Sequence, residues 1–236
     1  MAKKPKFIVE QSRQVVVERS PKSIISEQFR TARTNINFSV PAGDLKTLVF
    51  TSSVQAEGKS TVSANLAHLF AQEGKKVLFI DADMRKPTLH LTMHTENTNG
   101  LSNVLTKQST WSETIHPSEG TPNLDFITSG PVPPNPAELL ASKQFDDMVE
   151  DLTREYDLII FDAPPLLSVT DSQILANKCD GTVLVILAGT TQKDSVKRAK
   201  ELLDSSQAHI LGVVLNKFKM EKDHYYYYQY YGATEK

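Results

Sequence analysis

The sequence predicts a three-layer α/β fold in which helices cover both faces of a mostly parallel central sheet. Short apolar runs rich in β-branched and aromatic residues alternate along the chain with longer segments at helical spacing. The apolar runs are mostly continuous rather than alternating with polar residues, as expected of strands buried on both faces. The repeated order of strand, helix and strand favours parallel pairing with right-handed crossovers.

The elements follow in chain order. We expect residues 1–22 to form a basic N-terminal arm that is extended over about its first 20 residues, and residues 23–38 to form a helix. A further long helix should open at Asn135-Pro136-Ala137-Glu138, which supplies a cap, a first-turn proline and an acid. The predicted strands are residues 48–50, 77–80, 124–127, 158–161, 183–187 and 211–215, and the other helices are residues 60–72 and 194–203, with short ones near 101–105 and 111–115.

Composition limits the classes of protein. The chain has 236 residues, of which 39% are hydrophobic, and this suits one α/β domain at residues 23–217 with a tail at 218–236. A net charge of −2 gives no reason to expect a nucleic-acid partner. The single cysteine, Cys179, excludes an intramolecular disulfide and fits a reducing cytosol. Because no apolar run is long enough to span a bilayer, we expect any membrane association to depend on a partner.

A phosphate-binding loop is predicted between the first strand and the helix at residues 60–72. The loop ends in Glu57-Gly58-Lys59-Ser60-Thr61, and its N–H groups from Ala56 onward should bind phosphate oxygens together with the helix N-terminus. Lys59 would reach the β- and γ-phosphates, and Ser60 would bind Mg²⁺. Ser53 stands where the usual motif has its first glycine. The strand before and the helix after nevertheless favour a P-loop NTPase-like fold over a non-functional Gly-Lys-Ser-Thr.

Three aspartates follow predicted strands. Asp81 and Asp83 end one strand, and Asp162 ends another. Ligands of open α/β sheets bind at the carboxyl ends of the strands, so these carboxylates should face the phosphate loop. They suit Mg²⁺ coordination and the acceptance of a proton. A turn or a helix cap is the alternative role for any one of them.

The end of the chain is rich in tyrosine. Six of its seven tyrosines lie in one short run, namely Tyr225, Tyr226, Tyr227, Tyr228, Tyr230 and Tyr231. Combined with a nucleotide site, this run indicates a kinase that phosphorylates tyrosine, including its own. An interaction segment or a stacking surface for nucleic acid would share the same composition.

Together these motifs resemble the bacterial tyrosine kinases that regulate capsular and extracellular polysaccharide synthesis, of the cytoplasmic Gram-positive type. The resemblance covers about residues 20–236. Its departures are Ser53, and Ala56 where the family often has glycine. It rests on the phosphate loop, Asp81-Ala82-Asp83-Met84-Arg85-Lys86-Pro87, Gly130-Pro131-Val132-Pro133-Pro134-Asn135-Pro136-Ala137-Glu138-Leu139-Leu140, Asp162-Ala163-Pro164-Pro165 with Val169-Thr170-Asp171, and the tyrosine run.

The resemblance implies ATP and Mg²⁺ as cofactors and phosphorylation of the tail between subunits. Lys59, Asp81, Asp83 and Asp162 are then the catalytic residues. We expect Asp81 to accept the tyrosine proton, and Asp83 and Asp162 to hold Mg²⁺ with Ser60, partly through water. The resemblance also suggests an adenine contact for Asn216, although a turn residue is the alternative.

The resemblance further implies an oligomer, a ring, whose contact motif is Glu27, Arg30 and Arg33. Spacing alone would place these three residues on a solvated helix face with local ion pairs. The other implied partners are a transmembrane adaptor that resembles a polysaccharide co-polymerase and a cognate tyrosine phosphatase. The protein would then be cytoplasmic and peripheral at the inner face of the cell membrane.

Two other functions compete with the kinase. Nucleotide-switch ATPases of the ParA and MinD type, which position plasmids, septa or cargo, are similar in fold. They resemble one another in a second lysine five positions before the phosphate-loop lysine, and Val54 stands there in this chain. An inactive scaffold is the third interpretation, and it depends only on Ser53 and Ala56.

Overall fold

The computed structural model describes residues 15–41 and 45–218, and these contain a seven-stranded sheet with helices on both faces. The strands are β1 (Thr47–Ser52), β2 (Val77–Asp81), β3 (His116–Pro117), β4 (Leu124–Ile127), β5 (Leu158–Asp162), β6 (Gly181–Leu187) and β7 (Ile210–Asn216). The helices are α1 (Val16–Arg19), α2 (Ile24–Phe38), α3 (Lys59–Gln72), α4 (Leu89–Thr92), α5 (Leu101–Leu105), α6 (Pro136–Ala141), α7 (Lys143–Glu155), α8 (Asp171–Lys178) and α9 (Lys193–Ser205).

The sheet order is β3-β4-β2-β5-β1-β6-β7, and all neighbours are parallel except the short antiparallel pair of β3 with β4. Every residue of β1, β2 and β5 is buried. This explains why the central strands read as continuous apolar runs, and it confirms the predicted fold class. Within residues 15–41 and 45–218, no helix has both the length and the apolar character needed to cross a membrane.

Two hydrophobic cores lie on opposite faces of the sheet. Successive residues of β1 alternate between them, since Leu48 and Phe50 pack in the core with α3 while Val49 packs in the core with α7 and α8. Because the carboxyl ends of the parallel strands meet at one edge, the loops after β1, β2, β5 and β7 converge there.

The prediction of an extended arm is wrong for residues 16–19, which form α1. Val15 and Val17 are buried against the core that contains α3, and the Val17 N–H donates to Asn65 Oδ1 at 3.1 Å. A four-residue helix is too short for helical spacing to be visible in the sequence, and packing against α3 supplies the stability that propensity does not.

The prediction of one long helix after Asn135 is also wrong, because α6 and α7 are separate. Ser142, with ψ 155°, ends α6 and caps α7, and its Oγ accepts a hydrogen bond from the Phe145 N–H at 3.3 Å. The Asn135 side chain does not cap the backbone, and donates instead to Glu138 Oε2 at 2.6 Å. The predicted helix near residues 111–115 is a single 3₁₀ turn, Trp111–Glu113. Helix α8 was not predicted, since its eight residues lack a clear apolar stripe.

Candidate active site

A cavity of about 620 Å³ lies at the carboxyl edge of the sheet. Its walls come from four loops that are distant in sequence, at residues 55–61, 83–88, 164–169 and 216–217. The structure therefore brings together the phosphate loop, the acidic segment after β2, the prolines after β5 and Asn216, all of which the sequence singled out.

The phosphate loop depends on Gly58. This residue has φ +91°, and a Cβ at its position would lie 2.0 Å from Asn216 Nδ2. Helix α3 begins at the next residue, Lys59, so its N-terminal N–H groups are directed to the cavity. A left-handed residue followed by a helix start is the geometry that binds phosphate oxygens.

The two departures from the usual loop sequence differ in consequence. Ser53 is fully buried, and its hydroxyl donates to Glu57 Oε2 at 2.8 Å. Ser53 does not have a positive φ, so its backbone does not require glycine. Ala56 has φ 65°, a left-handed conformation that favours glycine and strains alanine.

Lys59 is held by two carboxylates. Its Nζ lies 3.1 Å from Asp83 Oδ2 and 3.4 Å from Asp162 Oδ1, and it also contacts Ser60 Oγ at 3.3 Å. Burial by itself lowers the pKa of Lys59, but the charges of Asp162, Asp83 and Asp81 outweigh it and raise the pKa above its usual value. The lysine is therefore a permanent cation beside the phosphate loop.

Asp81 lies beneath this cluster and is fully buried. Its Oδ2 accepts the N–H groups of Thr88 and Leu89 at 2.8 and 2.9 Å, and its Oδ1 accepts the Asp83 N–H at 3.2 Å. Burial and the neighbouring charge of Asp162 raise the pKa of Asp81 to about 7. Asp83 lines the cavity, whereas Asp81 does not.

Arg85 and Asp171 form an ion pair that sequence reasoning missed. Arg85 lines the cavity, and its Nε and Nη2 donate to the two oxygens of the buried Asp171 at 2.9 and 3.0 Å. This bidentate contact links the segment after β2 to the start of α8. Both residues belong to motifs noted in the sequence, but 86 positions separate them and no local signal connects them.

Asn216 lines the cavity at the end of β7. Its Nδ2 donates to the Glu57 carbonyl at 2.9 Å, and its Oδ1 accepts the Lys217 N–H at 2.9 Å. The side chain therefore braces the phosphate loop, and its contact with adenine stays a prediction.

The predicted subunit-contact residues lie on α2, away from the cavity. Glu27 and Arg30 form an exposed ion pair with each other. Arg33 instead contacts the C-terminal end of α3, where its Nε lies 2.9 Å from Glu73 Oε1. Their contact with another subunit stays a prediction, and the six tail tyrosines lie outside the described residues.

The chain matches the family model of the AAA domain over residues 49–190. It is 48% identical to the tyrosine-protein kinase YwqD of Bacillus subtilis over 94% of this chain and 93% of that protein. It is 46% identical to the putative tyrosine-protein kinase CapB of Staphylococcus aureus, over 92% and 94%. The chain belongs to the bacterial tyrosine-protein kinases. The predicted enzyme class, transfer of phosphate from ATP to tyrosine, is thereby confirmed.

Other matches include further kinases and a protein that shares only the fold. The chimerical protein CapA2B2 has a TM-score of 0.83 at 42% identity, covering 87% of this chain and 90% of that one. The tyrosine-protein kinase wzc of Salmonella typhi is 33% identical over 92% of this chain but only 30% of its own length. The septum site-determining protein MinD of Pyrococcus horikoshii, with a TM-score of 0.62 at 22% identity over 75% of this chain and 72% of that one, shares the fold alone.

Proposed function

We propose that this kinase uses ATP and Mg²⁺ to phosphorylate its own tail, Tyr225 to Tyr231, between subunits, and that it thereby regulates capsular and extracellular polysaccharide synthesis and export. The observation that carries the proposal is the position of Lys59 at the start of α3, between Asp83 and Asp162 and open to a cavity of about 620 Å³. Phosphoryl transfer depends mainly on positioning and on neutralising charge, and this cluster supplies both.

The phosphate loop and Lys59 hold the nucleotide. Backbone N–H groups of the loop bind the phosphates, namely those of Ala56, Glu57, Gly58, Lys59, Ser60 and Thr61. Lys59 neutralises their charge, and Asn216, at the end of β7, would contact the adenine. Ser60, Asp83 and Asp162 would hold Mg²⁺, which offsets the charge on phosphate oxygens when bound. Gly58 supports the fit, since any side chain there would close the space between the loop and Asn216.

Proton acceptance falls to Asp83 rather than to Asp81 in this proposal, through the Asp83 oxygen that does not hold Mg²⁺. The pKa of Asp81, about 7, suits a general base, but geometry comes first. Both residues have hydrogen-bonded or ion-paired oxygens, since Asp81 accepts three backbone N–H groups while Asp83 accepts the Lys86 N–H at 3.0 Å and pairs with Lys59. Asp83 lines the cavity, however, and Asp81 does not. Asp81 then positions the segment that carries Asp83. An Asp83→Asn variant that transferred phosphate at the normal rate, beside an inactive Asp81→Asn variant, would reverse this assignment.

The test of self-phosphorylation is mass mapping of phosphotyrosine after incubation with ATP and Mg²⁺. We expect phosphate on the tail tyrosines, and a rate per subunit that falls with dilution because transfer occurs between chains. A variant with all six tail tyrosines changed to phenylalanine should bind nucleotide but take up no phosphate there. A dilution-independent rate under conditions where the protein is monomeric would contradict transfer between subunits.

The proposed partners follow from family membership. We propose that a transmembrane adaptor, which resembles a polysaccharide co-polymerase, binds this kinase. The kinase would then be cytoplasmic and peripheral at the inner membrane face. Glu27, Arg30 and Arg33 would contact the next subunit of a ring, and a cognate phosphatase would reset the tail. Pull-down with a membrane-embedded adaptor tests this arrangement. The adaptor should retain the wild-type kinase, and a kinase that is not retained would contradict the proposal.

Phosphorylation should open the oligomer. Each phosphotyrosine adds a charge of about −1.5 to −2, and neighbours in the tail are closer than the Debye length of about 8 Å. A tail docked near Asp83 and Asp162 is repelled once it carries several such groups. Light scattering before and after ATP treatment measures the change, and an unchanged mass after multi-site phosphorylation would refute this switch.

A further inference from the structure

A buried carboxylate lies behind the phosphate loop. Glu57 is 2% exposed, and its side chain does not line the cavity. Its Oε2 accepts the Ser53 hydroxyl and the Val54 N–H, each at 2.8 Å, and its Oε1 accepts the Thr191 hydroxyl. Because these donors come from the first residues of the loop and from beyond β6, one side chain closes the loop on itself and fixes it to the sheet.

Thr191 is held in turn by the end of β6. The Leu187 N–H donates to Thr191 Oγ1 at 3.0 Å, and the Thr191 N–H donates to the Leu187 carbonyl at 3.0 Å. The backbone of Glu57 has a separate brace, since Asn216 Nδ2 donates to its carbonyl at 2.9 Å. The ends of β1, β6 and β7 therefore all meet at this one residue.

A negative charge at this place needs a physical reason. A carboxylate near bound phosphates repels them, and burying it costs free energy unless hydrogen bonds replace its hydration. Three donors satisfy Glu57, so its burial is offset. What the loop gains is a fixed shape, in which Ala56 keeps its left-handed conformation.

We propose that Glu57 is a positioning residue which, with Thr191, holds the phosphate loop in its nucleotide-binding shape before the nucleotide arrives. The inference rests on the proposed function only in taking this loop as the nucleotide site. It assigns to the loop after β6 a part in nucleotide affinity, although no residue of that loop lines the cavity.

The test compares ADP affinity, measured by titration calorimetry, among single variants of the full chain. Glu57→Ala should weaken binding by about 10- to 100-fold, because it removes the acceptor of three hydrogen bonds. Thr191→Val should weaken it by about tenfold. Glu57→Gln should recover part of the loss, since its amide oxygen can still accept from Ser53 and Val54 while its NH₂ group faces Thr191. Thr190→Val, at the exposed neighbouring position, is the matched control and should bind as wild type.

Kinetics separate positioning from a merely structural role. In Thr191→Val the KM for ATP should rise by about tenfold while kcat at saturating ATP stays within about twofold, because the ordering cost falls on binding. A folded Thr191→Val variant that binds ADP as tightly as Thr190→Val would overturn the inference, even if Glu57→Ala fails to fold. Normal ADP binding without any phosphotransfer in wild type would refute the kinase chemistry instead and leave this inference standing.

Discussion

Replacing Lys59 with methionine should abolish phosphotransfer and also destabilise the fold. The lysine Nζ is 3.1 Å from Asp83 Oδ2, and the two side chains are only 12% and 7% exposed. At an effective dielectric of about 20, a pair at that distance interacts by about 5 kcal/mol. Removing one partner of a buried pair costs about 3–5 kcal/mol, a large share of a typical stability of about 5–15 kcal/mol. The variant should therefore fold, but with a much smaller free energy of unfolding.

The loss should depend on pH in a known direction. Lys59 is one of the groups that lower the pKa of the buried Asp81, so without the lysine this pKa rises further above its unfolded value of 3.8 and the folded state binds more protons than the unfolded state. Stability of Lys59→Met then falls as pH rises and recovers on acidification. In wild type the folded pKa of Lys59 lies above its unfolded value of 10.5. The stability that this shift contributes is fully present below pH 10.5, and it is lost only as the pH rises through the higher folded pKa. Lys59 therefore adds no pH dependence to wild type near neutrality.

Urea unfolding at pH 5 and pH 8, with phosphotyrosine detection on the same samples, checks both effects. The double variant Lys59→Met with Asp83→Asn should regain part of the stability while remaining inactive, which separates the fold from the chemistry. Lys143→Met, at a side chain that is 87% exposed, is the control and should change neither quantity. Near-normal phosphotransfer in Lys59→Met, or an unchanged free energy of unfolding at pH 8, would refute the reasoning.

Three further predictions concern other parts of the chain. Ala56→Gly should raise the free energy of unfolding in urea by about 0.5–1 kcal/mol, because φ 65° strains alanine, and a decrease would contradict this. Changing both Glu27 and Arg30 to alanine should alter that free energy by less than about 1 kcal/mol, since the pair is exposed, yet light scattering should show a monomer; a persistent oligomer would exclude them from the contact. Asp81, with its pKa raised to about 7, contributes stability that is present below the unfolded pKa of 3.8 and is lost as pH rises through 7. Asp81→Asn should therefore flatten the stability curve of metal-free protein between about pH 4 and 7, and a curve parallel to wild type would contradict it.

The sequence predicts the sheet and the cavity well, because both depend on local patterns. Each buried strand is a continuous apolar run, and the phosphate loop and strand-end aspartates meet since parallel strands share one carboxyl edge. The break at Ser142 is not predicted, because serine is tolerated inside helices and only the extended backbone of Ser142, with ψ 155°, reveals the boundary.

Contacts between distant residues are the part that no sequence pattern announces. Glu57 and Thr191 are 134 positions apart, and Arg85 and Asp171 are 86 apart. Nothing in either local sequence marks these partners, and only the strand order brings them together. The position of Asp83 rather than Asp81 at the cavity wall is similar, since their spacing in sequence is the same whichever of them faces the cavity.

Phosphate binding by Lys59 and Mg²⁺ binding by Asp83 and Asp162 are predicted separately from the sequence, but the charges around Lys59 couple them. In the structure this lysine contacts Asp83 and Asp162, and it cannot neutralise both of them and a nucleotide's phosphates at full strength. When Lys59 turns to the phosphates, the two aspartates lose a cation just as new negative charge arrives. A divalent cation at those aspartates restores the balance, so in the proposed function the phosphate role of Lys59 and the Mg²⁺ role of the aspartates are one exchange. Lys59 thus pairs with Asp83 and Asp162 in the structure, and a divalent cation held by these two aspartates would leave the lysine free to contact the phosphates.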